Sequence, residues 1–438
     1  MRFGYVGGSG EFDPAESRRY AESMALHRAT VALDGPWEPA AVADRLATTS
    51  IDFEAAQELA ARLFALCPSR PFGPRQLANL LRSLPEPAPA EPSAPDLPSE
   101  AAPREWRWGV PRWETPAEVA RALDLTVGEL EWFADLGGWN RRAPLPVRHY
   151  RCRWLPGGRR LVEAPKPRLA ELQRRIRRHV LDRIPVHDAA HGFRPGRSPL
   201  TCARPHAGRA LVVRMDLEGF FAAVSGYRVR RMLCHSGYPD QVAAVVAGLL
   251  TTRAPVDVLG EPDRGDPARW RLARNLAAEH LPQGAPSSPA VANALAYGLD
   301  RRLAGLAGTL GATYTRYADD LAFSGDADLP LHRLLPGVRR IAREEGFRVR
   351  EDKTGVAAAH QRQRIAGLVV NSAPAVARAE YDELRALLHN CARTGPAAQN
   401  RDGRPDFAAY LLGRIGWAST GNPARAAKLK EMFGRIPW

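Results

Sequence analysis

Tyr317-Ala318-Asp319-Asp320 stands between two runs that read as strands, Thr313 to Tyr317 before it and Leu321 to Phe323 after it. The spacing predicts a hairpin that presents two adjacent carboxylates at its turn. Adjacent like charges raise each other's pKa, so such a pair persists as two anions only beside a neutralising cation. Mg²⁺ suits the position, because it takes a few carboxylates and completes its shell with phosphate and water. An Asp-Asp turn by itself is commonly plain solvated surface, and here its neighbours decide the reading.

Upstream, Leu211-Val212-Val213-Arg214-Met215-Asp216 is a short, mostly apolar run ending in one acid, followed by Leu217-Glu218-Gly219-Phe220-Phe221. A strand that delivers Asp216 beside Asp319 and Asp320 completes a three-carboxylate site able to hold two metal ions for in-line phosphoryl or nucleotidyl transfer. Between these blocks, Leu281-Pro282-Gln283-Gly284-Ala285-Pro286-Ser287-Ser288-Pro289 is a turn-rich loop feeding a helical pattern from Ala290 to Leu303. Glycine lets a backbone approach a ligand closely, and a helix start offers unpaired N–H groups to an anion.

From about Trp139 onward these blocks, in this order, resemble the reverse transcriptases. The resemblance is carried by Asp216 to Phe221, Gln283 to Pro289, Tyr317 to Asp320, and Asp352-Lys353-Thr354 with Gly367-Leu368-Val369-Val370-Asn371. Within that family the chain is most similar to the retron enzymes, in a group with a long N-terminal extension. Ala189-Ala190-His191-Gly192-Phe193, Gly196-Arg197-Ser198, Leu281 to Pro286 and Gln363-Arg364 carry that likeness. Two positions depart from it: Cys202 stands where Asn is expected before Ala203 and His206, and Ile365-Ala366-Gly367 stands where Val-Thr-Gly is expected.

The resemblance implies an α+β right-hand polymerase with fingers, a palm containing an antiparallel sheet, and a helical thumb. It also implies roles. Asp216 and Asp319 are expected to bridge two Mg²⁺ ions, with Asp320 more peripheral, and Lys353 to protonate departing pyrophosphate from a turn at Glu351 to Thr354. Gln283 and Gly284 are expected to contact the incoming dNTP, and Phe221 to collide with a 2′-hydroxyl and so select deoxynucleotides. Arg194 and Arg197 are expected at template or triphosphate, since a planar guanidinium donates two parallel bonds to phosphate. His206 matches the retron element and is expected to touch RNA. The implied partners are a cognate structured noncoding RNA, the RNA–DNA product, dNTPs and an effector protein, often in phage defence. A defence enzyme with protein priming or weak templating is the alternative, and an RNA-binding scaffold is the alternative of another class.

Charge agrees with a polyanionic partner. The formal net charge is +14, yet residues 1–100 hold 9 Lys+Arg against 14 Asp+Glu, so the remainder carries about +19. That field recruits nucleic acid in a salt-sensitive way. From Arg151 to Arg183 there are 11 Lys+Arg against 3 Asp+Glu. A predicted helix from Pro167 to Ile184 puts Leu169, Leu172, Ile176 and Val180 on one face and leaves Arg174, Arg175, Arg177 and Arg178 for RNA.

Five scattered cysteines without Cys-x-x-Cys spacing argue against a disulfide scaffold or a zinc site. No signal-like start and no long apolar run are visible, so a cytoplasmic protein that does not enter membranes is expected. Gly7, Gly8 and Gly10 read as a flexible terminus, since no strand precedes them.

The expected organisation is a helical N-terminal module (1–83), a proline-rich linker (84–104), a helical pre-fingers segment (105–138), fingers (139–209), palm (210–375) and thumb (376–438). Thr115-Pro116-Ala117-Glu118 reads as a helix start. Trp132 and Phe133, in the next helix, are expected to pack rather than to read DNA. Residues 147–163 read as a hairpin turning at Pro156-Gly157-Gly158, with Arg159 and Arg160 on its return strand, and residues 254–280 as a variable insertion.

Overall fold

Apolar residues four apart put one buried stripe on each helix of the N-terminal segment. The computed structural model describes residues 32–33, 36–46, 53–69, 71, 74–83, 105–158, 160–260 and 266–438, and the chain divides into two compact units, 1–103 and 104–438. In the first, α1 (Pro39–Leu46), α2 (Phe53–Leu66) and α3 (Pro74–Ser83) bury Val42, Leu46, Leu59, Leu63 and Leu77 in a core of their own. Trp37 stacks on Phe64 at its edge. Gly7, Gly8, Gly10 and the rest of the expected helical module before residue 32, the linker 84–104 and Arg159 lie outside the described residues.

The second unit begins with two capped helices, of which only the first cap, at Thr115, was read from the sequence. Thr115 accepts a bond from the N–H of Glu118 to open α4 (Pro116–Leu123), and Thr126 and Glu129 form a reciprocal capping box on α5 (Val127–Ala134). Trp132 and Phe133 pack on His149, with ring centroids 5.2 and 5.4 Å away. His149 sits at the foot of an antiparallel hairpin, β1 (Tyr150–Trp154) and β2 (Leu161–Pro165).

Next, α6 (Pro167–His179) buries Leu169, Leu172 and Ile176. It stops short of the expected Ile184, because a tighter 3₁₀ turn at Leu181–Arg183 brings Leu181 and Ile184 into the core beside Val180. The short α7 (Pro199–Ala203) then leads to β3 (Leu211–Leu217), followed by α8 (Gly226–His235) and α9 (Asp240–Leu250).

The expected insertion at 254–280 has regular structure in its described residues. It carries α10 (Pro267–Ala277), whose Leu276 joins Ala254 under Leu161 and so supports the hairpin, while residues 261–265 fall outside the described set. The helix expected from Ala290 to Leu303 is two helices broken at Ala296, α11 (Ser288–Leu295) and α12 (Tyr297–Thr309).

The central sheet has four antiparallel strands in the order β4 (Thr313–Tyr317), β5 (Asp320–Gly325), β3, β6 (Val349–Ala358), and α13 (Leu331–Glu344) lies between β5 and β6 in the chain. Both faces of the sheet are covered. Val213, Met215, Leu321 and Phe323 face the main core, whereas Val212 and Ala322 face a smaller cluster with Cys202, Ile365 and Leu368. Alternate residues point to opposite faces, so double coverage explains why these strands read as continuous apolar runs.

A small hairpin, β7 (Arg364–Ile365) and β8 (Leu368–Val369), turns at Ala366 and Gly367, both with positive φ, as a two-residue turn of this kind requires. The chain ends in α14 (Arg378–Thr394), α15 (Phe407–Ala418) and α16 (Pro423–Gly434), which share a core built on Leu384, Leu388, Leu411, Ile415 and Leu429.

Candidate active site

β4 and β5 leave only Ala318 and Asp319 to turn the chain, since Tyr317 already pairs with Asp320. Ala318 takes φ +58°, a left-handed value that a non-glycine residue holds only when its surroundings fix it. Arg316 does so. Fully buried, it donates from Nη1 to the carbonyl of Ala318 at 2.9 Å and to Asn293 Oδ1 at 3.0 Å. From Nε and Nη2 it grips both oxygens of the equally buried Asp300 at 2.8 and 2.7 Å, and Tyr314 donates to the same carboxylate. Asn293 in turn donates to the carbonyl of Gly192, where a Cβ would lie 2.6 Å from the backbone nitrogen of Ala318.

The register brings the third acid alongside. Asp216 on β3 lies directly opposite Asp320 on β5, and the N–H of Leu217 donates to the carbonyl of Asp319 at 2.9 Å. Burial first, and then the neighbouring Asp216, push the Asp319 carboxyl above the usual carboxylate range, with Lys353 and Arg160 opposing. Burial also leads for Asp320, followed by Asp319 and Asp216. These are acids held ready for a cation.

Lys353 reaches the cluster from a bulge rather than from the expected turn. Opposite the single residue Met215, four residues of β6, Glu351 to Thr354, are inserted into the ladder. Arg339 holds Glu351 and Arg350 holds Asp352. Lys353 is left to reach inward, with Nζ 2.8 Å from Asp216 Oδ2.

The donor set fits a hard divalent ion: three carboxylates at one end of the sheet, of which Asp319 and Asp320 are destabilised as anions by burial and then by their neighbouring carboxylates. Among the described residues no three His, Cys, Asp or Glu side chains close around an ion unaided. Phosphate and water would complete such a shell.

Phe221 lies just past β3, its ring 5.6 Å from Phe220 and 6.2 Å from Phe193. Gly284 has φ +130°, and a Cβ there would come within 3.1 Å of the Glu163 carbonyl. The adjoining Gln283 accepts a bond from the Glu163 N–H at 2.8 Å, joining this loop to β2. Arg194 and Arg197 are both partly exposed and share Asp188, and Arg194 also donates to the His187 carbonyl.

Two expected RNA contacts require correction. His206 is fully buried, with Nε2 2.8 Å from Thr315 Oγ1 and Nδ1 2.7 Å from Ser324 Oγ. Thr315 donates onward to the Cys202 carbonyl, so the ring donates from Nε2 and accepts at Nδ1. Burial lowers its pKa to about 4. It bolts β4 to β5 beneath the acids and meets no ligand. Arg175 donates to the carbonyls of Leu123 and Ala122, closing the end of α4. Arg174 and Arg178 are exposed around Glu171, and Arg177 lies 3.7 Å from Asp182.

A hairpin that carries two acids, a third acid on the adjacent strand and a loop pinned to a neighbouring hairpin define a nucleotidyltransferase site. Residues 156–371 match the family model described as "Reverse transcriptase (RNA-dependent DNA polymerase)", and this chain is such an enzyme, with the fingers, palm and thumb that the class implies. Enzymes of this class generally work with divalent metal ions.

Among curated relatives, the retron Mx65 reverse transcriptase of Myxococcus xanthus is 41% identical over 335 residues, 74% of this chain and 72% of the relative. The retron Mx162 enzyme of the same organism is 40% identical over 66% of this chain and 61% of its own length. The retron Ec86 enzyme of Escherichia coli is 29% identical over 53% and 65%. The chain belongs to the retron reverse transcriptases. No helix among the described residues is long and apolar enough to cross a membrane.

Sequence reasoning assigned nothing to Arg316, Asp300, Asn293, Glu163 or His280. The available signal was an arginine inside a strand three residues before the acids, and a histidine directly before the nucleotide-loop motif.

Proposed function

We propose that this enzyme copies part of its own structured noncoding RNA into single-stranded DNA that stays joined to RNA, in the cytoplasm and in the service of phage defence with an effector protein. The observation that carries the reading is the in-register pairing of Asp216 with Asp320 beside the Asp319 turn, in a chain akin to retron enzymes along most of its length.

Two Mg²⁺ ions, held by Asp216 and Asp319 with Asp320 at the periphery, supply Lewis-acid polarisation of phosphate when bound. The residues do the rest. Lys353 stands at the acids with a proton to give to a leaving phosphate oxygen. Gln283 contacts the incoming nucleotide through its side chain and Gly284 through its backbone, and the Phe221 ring is the gate that a 2′-hydroxyl meets. Arg194 and Arg197 approach template or triphosphate. Arg174, Arg177 and Arg178 on α6 attract the RNA backbone, exchanging internal carboxylate partners for phosphate.

The test is co-expression of the chain with the RNA transcribed immediately upstream of its gene, followed by gel analysis of nucleic acid before and after ribonuclease. A DNA species that shifts on ribonuclease treatment is expected, absent with Asp319→Asn while RNA binding persists. DNA with no RNA attached would overturn the retron product. Near-normal synthesis by the variant would overturn the metal assignment.

A further inference from the structure

The hairpin strand β2 carries a buried acid that the polymerase chemistry leaves unused. Glu163 is 1% exposed, and its Oε2 lies 2.8 Å from Nε2 of His280, also 1% exposed. The other ring nitrogen, Nδ1, lies 2.9 Å from the carbonyl of Ala278. A carbonyl only accepts, so Nδ1 carries hydrogen, and a single further proton lies between Nε2 and Oε2. Among the described residues Glu163 Oε1 has no hydrogen-bond partner, so within them the carboxylate is held through His280.

His280 is itself fixed to the palm. Its N–H donates to the Thr252 carbonyl and its carbonyl accepts from Thr252, at 3.0 and 2.9 Å. Next to it, the N–H of Leu281 donates to the carbonyl of Val224, three residues after Phe221. On the other side, the backbone of the same Glu163 meets the nucleotide loop: its N–H donates to Gln283, and its carbonyl abuts Gly284. One residue of the hairpin therefore touches the loop through its backbone and the loop's anchor through its side chain.

We propose that Glu163 and His280 are a positioning pair for the incoming nucleotide, setting the separation between the fingers hairpin and the Gln283-Gly284 loop. The inference rests on the reading that this loop contacts the dNTP. A lost clasp lets hairpin and loop part, which weakens nucleotide binding while leaving the three acids in place.

Primer extension on an annealed RNA template, at saturating template and varied dNTP, tests it in four variants. Glu163→Ala is expected to raise the dNTP KM about tenfold or more, the scale of one charge-assisted hydrogen bond, with kcat within about twofold. Glu163→Gln is expected to stay near the parent enzyme, because its amide donates to Nε2 of a neutral ring whose Nδ1 still bonds Ala278. Glu163→Met/His280→Leu removes the pair but keeps the site apolar and filled, so it folds even if the alanine variant does not, and it is expected to show the same rise in KM. Gln283→Ala reports on the underlying reading by raising KM itself.

A KM unmoved by Glu163→Ala or by the double variant, while Gln283→Ala raises it, overturns the pair and leaves the nucleotide loop standing. A Gln283→Ala variant with unchanged KM overturns the loop reading and the inference with it. Loss of kcat and melting temperature in step, or a Glu163→Gln variant as defective as Glu163→Ala, makes the pair merely structural and also overturns the proposal.

Discussion

Replacing Arg316 by methionine separates the two things that arginine does, stabilising the palm and holding the catalytic turn. Arg316 and Asp300 are both fully buried and joined by bonds of 2.7 and 2.8 Å, so the single change strands a carboxylate in the core. Breaking a buried pair from one side costs about 3–5 kcal/mol. At about 2 °C per kcal/mol for a large domain, the midpoint of thermal unfolding is expected to fall by roughly 6–10 °C. The Ala318 carbonyl loses its donor as well, and a shift of the turn by about 1 Å is enough to cost about 100-fold in rate.

The triple variant Arg316→Met/Asp300→Leu/Tyr314→Phe also removes Asp300 and Tyr314, the carboxylate and the hydroxyl that the single change strands in the core, and leaves only Asn293 Oδ1 and the Ala318 carbonyl without the donor they shared. It is expected to regain most of the lost melting temperature, because apolar replacement of both partners of a buried ion pair is close to neutral. Primer extension is expected to stay about 100-fold down, since nothing in the triple variant donates to Ala318. Scanning fluorimetry and single-nucleotide incorporation on the same preparations decide the matter. Recovery of both quantities in the triple variant, or loss of stability without loss of rate in the single one, would refute the assignment of Arg316 to the turn.

Phe221→Ala is expected to admit ribonucleotides, read as a fall in the ratio of dNTP to rNTP incorporation, and an unchanged ratio removes the sugar-gate role. A chain beginning at Arg104 is expected to extend an annealed primer at close to the full chain's rate. Loss of all activity from such a chain, still folded, would make residues 1–103 part of the polymerase. Burial holds His149, His191 and His206 at about 4, below the ordinary 6.5. The unfolded chain binds the extra protons, so their contribution to stability is present above about 6.5 and lost as pH falls toward 4. Melting curves are expected to drop across that interval, and a flat profile would show that the rings are not buried neutral.

The catalytic hairpin was legible because the apolar runs Thr313 to Tyr317 and Leu321 to Phe323 leave only three residues between them, although both acids were expected at the turn and Asp320 instead opens the second strand, paired with Tyr317. Arg316 was not legible. A charged residue in a strand reads as solvent-facing, and only the coverage of both sheet faces by distant segments turns it inward. His206 was misassigned for a related reason: a loop histidine carries no mark of burial, and the hydroxyls that receive it, Thr315 and Ser324, lie over a hundred residues away. Arg175 shares its helix face with exposed arginines, and the carbonyls it caps belong to another helix. Lys353 was placed correctly near the acids but on the wrong backbone, because a bulge is set by the partner strand's pairing and not by its own composition.

That bulge sets the tolerance of the site to changes in chain length. Val349 and Arg350 pair with β3 in one register and Gly355 to Ala358 in another, so the loop between them is a slack joint joining two independently keyed ladders. A residue gained or lost between Glu351 and Thr354 would leave both ladders paired, whereas the same change inside a continuous strand would turn every following side chain to the opposite face. The segment that presents the lysine can therefore change length without dismantling the sheet that presents the acids.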